Sequence, residues 1–317
     1  MSGSEEEHVI ATRWPDLGAL VTRLRGHLRQ NERLRATYAS FDLFRKYGTT
    51  RPERVPIHGS PHAIYVDSSE PRGQALARNF CSGQPQLKAL WRTAIERLRP
   101  EVVLDVGANY GELVFMPSYR PGVLVVAVEP HPSLSRYLER ARAEHPHGAA
   151  IELVFAAASD ADGGELTFFV DDAWSGRSSA VRTYSQREVR EVRVPVTSID
   201  AIVGDRARGK TLLFKIDVEG FEPNVLAGMH LVLGDAAMAV GLVELHRRNL
   251  SDMNIDLVDY LADLERRFTV YAFGEGGAIL RVPPGDFPRL FPDPESSTDL
   301  ILLSERSLAR RLELPGG

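Results

Sequence analysis

The stretch that sets the fold of this 317-residue chain reads Val103-Leu104-Asp105-Val106-Gly107-Ala108-Asn109-Tyr110-Gly111. A short apolar run ends in an acidic residue and enters a turn with two glycines. Because glycine has no Cβ, such a turn can bend tightly and let a ligand approach its backbone. A dinucleotide-binding turn needs G-x-G-x-x-G, but Asn109 occupies the position of the middle glycine. We therefore expect a ligand with an amino-acid group, whose ammonium the acid of the loop can reach, rather than a diphosphate.

A second acidic residue, Glu129, follows the next apolar run, Val123–Val128. In doubly wound sheets, an acidic residue about 20 residues after the glycine turn accepts hydrogen bonds from ribose hydroxyls. The two features together predict a ligand with a nucleoside part and an amino-acid part, which describes S-adenosylmethionine.

Further short apolar runs surround these two. Continuous apolarity is typical of strands that are buried on both faces, and hence of a parallel sheet covered by helices. Two segments between the apolar runs Leu153–Ala158 and Leu212–Ile216 alternate more clearly between apolar and polar residues. These segments, Glu165–Val170 and Val192–Val196, predict an antiparallel excursion. The other predicted strands are Val102–Val106, Leu153–Ala158, Leu212–Ile216, Val240–Leu245, Phe268–Phe273, Ala278–Val282 and Leu300–Leu303.

The first hundred residues differ in charge from the rest. They contain 16 Lys and Arg against 10 Asp and Glu, a balance of +6, whereas the remainder contains 22 against 33, a balance of −11. The apolar periodicity predicts helices over Leu17–Tyr47 and Gln84–Leu98, joined by an irregular, proline-rich connector. We predict a helical extension over residues 1–83, acting as a lid on the acceptor pocket or as a homodimer contact, and a catalytic domain over 84–317.

The composition excludes several classes of protein. Hydrophobic residues make up 43% and charged residues 26%, as in ordinary globular proteins, and no apolar run approaches the ~20 residues of a membrane span. The acidic start, Met1–Glu7, has no apolar signal region behind it, so we expect a cytoplasmic protein. The lone cysteine, Cys81, is expected to be a buried apolar residue. The arginines are not interleaved with stacking aromatics, so we expect no nucleic-acid partner.

The motifs resemble those of the FkbM-type methyltransferases, which use S-adenosylmethionine. The resemblance covers roughly residues 100–250, and its most specific part is Lys215-Ile216-Asp217-Val218-Glu219-Gly220-Phe221-Glu222. The other matching segments are Leu104–Gly111, Val128-Glu129-Pro130, Ala157-Ala158-Ser159-Asp160, and Val243-Glu244.

The resemblance implies an α/β class I methyltransferase fold: a Rossmann-like, seven-stranded, mostly parallel sheet with helices on both faces. The cofactor would lie over the carboxyl ends of the strands. In this chain Glu129 would hold the ribose, and Ala158 and Ser159 would lie beside the adenine. The residues implied to contact the methionine part, or to face both cofactor and acceptor, are Asp105, Gly107, Asn109, Gly111 and Asp217.

The acceptor must lose a proton if it is an alcohol, which calls for a nearby general base. His246 has a suitable ordinary pKa of ~6.5 and ranks first in this prediction, with Asp217 second. Glu219 and Glu244 also follow strand ends and are expected to bind the acceptor. A divalent cation is an alternative that we do not favour; its ligands would be Asp217, Glu219, Glu244 and His246.

A polar loop at Asp171–Ser179 is expected near the acceptor, where Trp174 and Arg177 would suit a sugar or polyol. The predicted function is therefore O-methylation of a small natural product such as a sugar, glycoside or polyketide. Alternatives are methylation of nitrogen or a carboxyl group, an NAD-dependent oxidoreductase, which the missing glycines disfavour, and a non-catalytic binding protein of the same fold.

Overall fold

The computed structural model describes residues 32–182, 189–293, 295 and 297–315. The helices are α1 (Glu32–Tyr47), α2 (Pro71–Asn79), α3 (Pro85–Leu98), α4 (Ser135–Glu144), α5 (Ile199–Val203), α6 (Glu222–Ala227), α7 (His230–Asp235), α8 (Arg247–Asp252), α9 (Leu257–Glu265), α10 (Phe287–Leu290) and α11 (Ser307–Arg311). The strands are β1 (Arg54–Pro56), β2 (Ala63–Tyr65), β3 (Val102–Val106), β4 (Leu124–Val128), β5 (Ile151–Val154), β6 (Ala157–Ala158), β7 (Glu165–Asp171), β8 (Val189–Thr197), β9 (Thr211–Ile216), β10 (Met238–His246), β11 (Thr269–Phe273), β12 (Ile279–Arg281) and β13 (Ser297–Leu303).

The main sheet has the strand order β12-β11-β13-β10-β9-β3-β4-β5. From β5 to β10 all neighbouring strands are parallel, and β13, β11 and β12 add antiparallel pairs at one side. Every residue of β3 and β9 is buried, which explains their mostly apolar sequence. The predicted α/β class and the mostly parallel sheet are confirmed.

The resemblance implied seven strands, whereas the main sheet has eight. The eighth is β12, a three-residue edge strand that lies within the predicted strand Ala278–Val282 and pairs with β11 through a tight turn. Gly276 and Gly277 in this turn have φ values of +65° and +81°, which favour glycine and let the chain reverse. The predicted strand Leu153–Ala158 is also divided, since its last two residues form β6, which belongs to a separate sheet of order β6-β8-β7. In that sheet β7 and β8 are antiparallel, as predicted.

The chain divides into two compact units, residues 1–51 and 52–317. The second unit includes β1 and β2, which Arg54 and Tyr65 join to α4 by hydrogen bonds with Glu144. The predicted functional boundary at residue 83 stays a prediction, but the compact unit begins earlier in the chain. Residues 17–31 of the first predicted helix lie outside the described residues, as does any dimer contact that they would make.

The helices of the N-terminal hundred residues follow the predictions in part. The helix α3 begins with Pro85 at its first turn and buries Leu87, Leu90, Trp91, Ala94 and Leu98. The helix α2 was not predicted, because its nine residues lie within a connector rich in proline and glycine. It forms because the Glu70 side chain accepts hydrogen bonds from the backbone N–H groups of Arg72 and Gly73, and Pro71 suits the first helical position.

Two further expectations concern burial. Cys81 is 1% exposed, and burial raises the pKa of its thiol to about 12, so the expectation of a buried cysteine is confirmed. None of the described helices is long and apolar enough to cross a membrane. On α1 the side chains of Tyr38, Phe41 and Phe44 are exposed.

Candidate functional site

A cavity of about 290 Å³ lies at the carboxyl ends of the parallel strands. Open α/β sheets bind ligands at this edge, where neighbouring strand ends bring loops together. Acidic side chains from the ends of four adjacent strands reach this cavity: Asp105 of β3, Glu129 after β4, Asp217 after β9 and Glu244 of β10. The sequence patterns had placed all four there.

The turn after β3 has a conformation that requires glycine. Gly107 has a φ of +79°, and a Cβ there would lie 1.8 Å from the backbone oxygen of Asp217. The turn therefore packs directly on the end of β9. Asn109 continues it with a φ of +51° and lines the cavity. Gly111, at φ +79°, faces the ring of Phe115 rather than the cavity, so its place in the structure is that of a turn residue.

Glu129 holds this turn in place. One of its carboxylate oxygens accepts a hydrogen bond from the N–H of Asn109 at 2.7 Å, and the other accepts from the N–H of His131 at 2.8 Å. Burial raises the pKa of Glu129 to about 7, although these two hydrogen bonds favour the charged form. A carboxylate offers about four acceptor sites, so Glu129 retains capacity for hydroxyl groups of a ligand.

Asp105 is a buried carboxylate without a hydrogen bond of good geometry to either oxygen among the described residues. Its nearest cation is the Lys215 ammonium, 3.8 Å from one oxygen. Burial raises the pKa of Asp105 to about 6, and the charge of Lys215 opposes that rise. A buried carboxylate that accepts no well-formed hydrogen bond from the described residues, and whose ion-pair partner is 3.8 Å away, is costly, so the site fits a ligand that brings a positive charge.

Lys215 links the two strands at the centre of the site. Its ammonium lies 3.1 Å from an oxygen of Asp217 and donates to the backbone oxygen of Gly107 at 3.2 Å. Burial disfavours the charged ammonium, but the charges of Asp217 and Asp105 outweigh that effect and raise the pKa of Lys215. Lys215 is thus a fixed positive charge between the glycine turn and the acidic cluster described next.

Three carboxylates form an acidic cluster beside Lys215: Asp217, Glu219 and Glu244, each with an oxygen within 4.8 Å of one on the others. Burial raises the pKa values of Glu219 and Glu244 well above their ordinary range, and the negative charge of Asp217 adds to both shifts. Glu222, the first residue of α6, accepts with its carboxylate from the N–H groups of Val218 and Gly220 in the loop before the helix. Glu219 in the same loop lines the cavity.

The opposite wall comes from the N-terminal part of the second unit. Arg72 of α2 and Lys88 of α3 line the cavity together with Trp174, from the loop after β7. The guanidinium carbon of Arg72 lies 5.9 Å from the centroid of the Trp174 ring, within the range of a cation–π contact. No motif in the sequence had pointed to Arg72 or Lys88; the one signal was the positive balance of the first hundred residues.

A sequence profile of the methyltransferase FkbM domain matches residues 105–269, which is 165 of the 317 residues. The chain belongs to the FkbM methyltransferase family. This confirms the family that the motifs had indicated, including Asp105 at the start of the match and the Lys215–Glu222 segment within it. No curated protein matched the chain in sequence.

Several solved structures resemble this FkbM methyltransferase. One is the O-methyltransferase TomG of Streptomyces achromogenes, at 13% identity over 85% of this chain and 89% of TomG, with a TM-score of 0.39. Another is an O-methyltransferase of Bacillus cereus, at 9% identity over 70% and 82% of the two chains, with a TM-score of 0.40. A third is a methyltransferase of Geobacter sulfurreducens, at 14% identity over 90% and 96%, with a TM-score of 0.37.

Within the FkbM domain the structure divides the predicted site residues into two groups. Four of them are absent from the cavity wall among the described residues, although all lie at the carboxyl edge or in adjacent loops: Gly111, Ser159, Arg177 and His246. The other predicted residues line it: Asp105, Gly107, Asn109, Glu129, Ala158, Trp174, Asp217, Glu219 and Glu244. Their individual roles stay predictions.

Two of the residues outside the wall, Ser159 and Arg177, contact other side chains. Ser159 donates to Asp160 at 3.0 Å. Arg177 lies 3.2 Å from the buried carboxylate of Asp171, and its charge weakly opposes the burial that raises the pKa of Glu219, so Arg177 lies near the acidic cluster. His246 lies two residues beyond Glu244 on β10, about 7 Å farther along the strand.

The sequence analysis missed Asp299, which pairs with Glu244 across β10 and β13. Burial and the charge of Asp217 raise the pKa of Asp299 to about 6. Its signal was weak because Asp299 lies inside a strand rather than in a motif, and strand pairing alone brings it to the acidic cluster.

The buried carboxylates predict how stability depends on pH. Folding raises the pKa of Glu129 from 4.5 to about 7. The stabilisation from its protonated form is complete below pH 4.5 and is lost as the pH rises to about 7, because the unfolded chain then releases the proton more readily. We therefore compare the free energy of unfolding of the cofactor-free wild type and Glu129→Gln by urea unfolding between pH 5 and pH 8. Over that rise in pH, the wild type should lose up to about 3 kcal/mol of stability relative to Glu129→Gln.

The comparison with Glu129→Gln removes the contributions of other groups, including His145, whose pKa burial lowers to about 4. His145 acts in the opposite sense, since its stabilisation is lost as the pH falls below 6.5. A difference between wild type and Glu129→Gln that did not change with pH would contradict the assigned protonation of Glu129.

Proposed function

We propose that this protein is an S-adenosylmethionine-dependent O-methyltransferase that acts on a hydroxyl group of a small molecule such as a sugar, glycoside or polyketide. The observation that supports it is a single cavity that combines two kinds of wall. The glycine turn, Asp105 and Glu129 form a wall suited to a nucleoside with an amino-acid group. The acidic cluster of Asp217, Glu219 and Glu244 forms the other.

The residues present suit the cofactor. Asp105 would face its ammonium, since that carboxylate is buried and accepts no well-formed hydrogen bond from the described residues. Glu129 would accept hydrogen bonds from the ribose hydroxyls with its remaining acceptor sites. Ala157, Ala158 and Phe168 supply an apolar wall for the adenine ring.

The chemistry asked of the chain is alignment and proton removal. The cofactor supplies a methyl group on a positively charged sulfur, already activated for transfer. Holding an acceptor oxygen in line with that group contributes about 7–11 kcal/mol to lowering the barrier. As the new carbon–oxygen bond forms, the hydroxyl proton must pass to a base, and a well-placed base contributes about 10²–10⁴-fold.

We place Glu244 first as that base, ahead of Asp217 and His246. Glu244 lines the cavity from a strand, and burial raises its pKa, which makes its carboxylate a stronger base once it is deprotonated. Asp217 is already paired with Lys215, and His246 lies beyond the cavity wall. Asp217 then serves to hold Lys215, while Glu219 and Trp174 bind acceptor hydroxyls. Arg177, which is absent from the cavity wall, stays paired with Asp171.

A divalent cation is the alternative occupant of the acidic cluster, favoured by the convergence of three carboxylate oxygens within 4.8 Å. In our proposal Lys215 supplies the positive charge instead. Methyl transfer that persists in the presence of a strong chelator would remove the cation alternative. Transfer to nitrogen or to a carboxyl group remains the nearest competing activity, and a search for products heavier by one CH₂ among hydroxylated, amine and acid metabolites separates them.

The cofactor is tested by calorimetry with S-adenosylhomocysteine, the demethylated product, and with NAD. We expect S-adenosylhomocysteine to bind and NAD not to bind, because the turn lacks the glycine that a diphosphate would need. Binding of NAD alone would identify an oxidoreductase. Binding of neither would favour a non-catalytic protein of the same fold.

A further inference from the structure

Two basic side chains lie in the cavity wall on segments to which no role has been assigned. Arg72 and Lys88 come from α2 and α3, and their side chains are 25% and 7% exposed. A single carboxylate, Glu112, pairs with both. The Lys88 ammonium lies 2.8 Å from one of its oxygens, and the Arg72 guanidinium donates to the other. The two cations therefore share the single negative charge of Glu112.

The Glu70 carboxylate holds Arg72 and its surroundings in place. One of its oxygens accepts from the backbone N–H groups of Arg72 at 3.0 Å and of Ser175 at 2.9 Å. The other accepts from the Tyr110 hydroxyl at 3.1 Å. These bonds join the start of α2 to the glycine turn and to the Trp174 loop. The guanidinium therefore belongs to an organised part of the site rather than to a loose surface segment.

The same cavity has a negative wall close by. Asp105 is buried and accepts no well-formed hydrogen bond from the part of the chain that the structure describes, and the charge of Glu112 is near enough to contribute to raising its pKa. A cavity with the Asp105 carboxylate in one part of its wall and the Arg72 and Lys88 cations in another is complementary to a zwitterion, in which an ammonium and a carboxylate lie on one carbon.

From this arrangement we infer that Arg72 and Lys88 bind the α-carboxylate of the amino-acid end of the cofactor, opposite the ammonium site at Asp105. Arginine suits this role because its planar guanidinium can donate two parallel hydrogen bonds to a carboxylate. Residues 71–88 then form part of the cofactor site. The inference rests on the proposed cofactor.

The test compares two ligands that differ only at that end. S-adenosylhomocysteine carries the amino acid, whereas 5′-methylthioadenosine keeps the nucleoside and the thioether without it. We expect Arg72→Gln to weaken binding of S-adenosylhomocysteine about 10- to 100-fold and to change binding of 5′-methylthioadenosine less than about twofold. Arg72→Lys should recover most of the loss, because it keeps the charge. Arg136→Gln, an exposed arginine outside the cavity wall, is the matched control and should change neither affinity.

The outcomes separate the two levels of the proposal. Equal losses for both ligands, or none for S-adenosylhomocysteine, would overturn the role of Arg72 while leaving the cofactor assignment intact. Failure of the wild-type protein to bind S-adenosylhomocysteine would overturn the proposed function itself. Lys88 is more deeply buried than Arg72, so Lys88→Met could disturb folding. Binding of the same two ligands to Lys88→Met is therefore measured only if the variant protein still unfolds cooperatively on heating.

Discussion

Gly107→Ala is expected to abolish binding of S-adenosylhomocysteine and to lower the free energy of unfolding by about 3 kcal/mol or more. A methyl group at this position would lie 1.8 Å from the backbone oxygen of Asp217, and neither backbone can move without separating β3 from β9. The positive φ of +79° adds a cost of about 1–2 kcal/mol for any residue with a Cβ. Urea unfolding and calorimetry measure the two effects.

Gly122→Ala is the matched control for this variant. Gly122 also has a positive φ, +83°, but nothing among the described residues lies within 4 Å of the position of a Cβ. It should therefore show the cost of the backbone conformation alone, about 1–2 kcal/mol, with cofactor binding unchanged. Equal effects of the two substitutions would mean that the contact between the glycine turn and β9 is not what positions the cofactor wall.

Glu244→Gln is expected to lower kcat by about 10²–10⁴-fold while changing the affinity for S-adenosylhomocysteine less than about threefold. The amide keeps the shape of the side chain but cannot take up the acceptor proton. Because a base must be deprotonated to act, the wild-type kcat should rise with pH through the pKa of Glu244, which burial raises. In Glu244→Gln, kcat should not show this rise with pH. Formation of S-adenosylhomocysteine with the best acceptor from a panel of sugars, glycosides and polyketides measures both.

His246→Ala and Glu219→Gln are the companion variants. If Glu244 is the base, His246→Ala should keep kcat within a few-fold of wild type, because His246 lies outside the cavity wall. Glu219→Gln should raise KM for the acceptor more than it lowers kcat. A large loss of kcat in His246→Ala, together with a small one in Glu244→Gln, would restore the histidine as the base.

The sequence predicted the parallel strands well because their signals are local. A strand buried on both faces needs a mostly apolar run, and β3 and β9 are buried over five and six consecutive residues. The predictions failed where local signals are short or shared between elements. The helix α2 depends on one capping side chain, Glu70, and the division of β5 from β6 depends on a partner strand some forty residues away along the chain.

The same distinction holds for the candidate site. Asp105, Gly107, Glu129 and Asp217 could be found from the sequence because each follows a recognisable strand end or lies in a turn that requires glycine. The opposite wall could not, since Arg72 and Lys88 carry no motif and reach the cavity through the packing of α2 and α3. Likewise, packing makes Lys215 the shared partner of two carboxylates and leaves Asp105 without a well-formed hydrogen bond from the described residues. Periodicity and glycine placement establish where strands end, but the pairing of charges depends on side chains that folding brings together from distant segments.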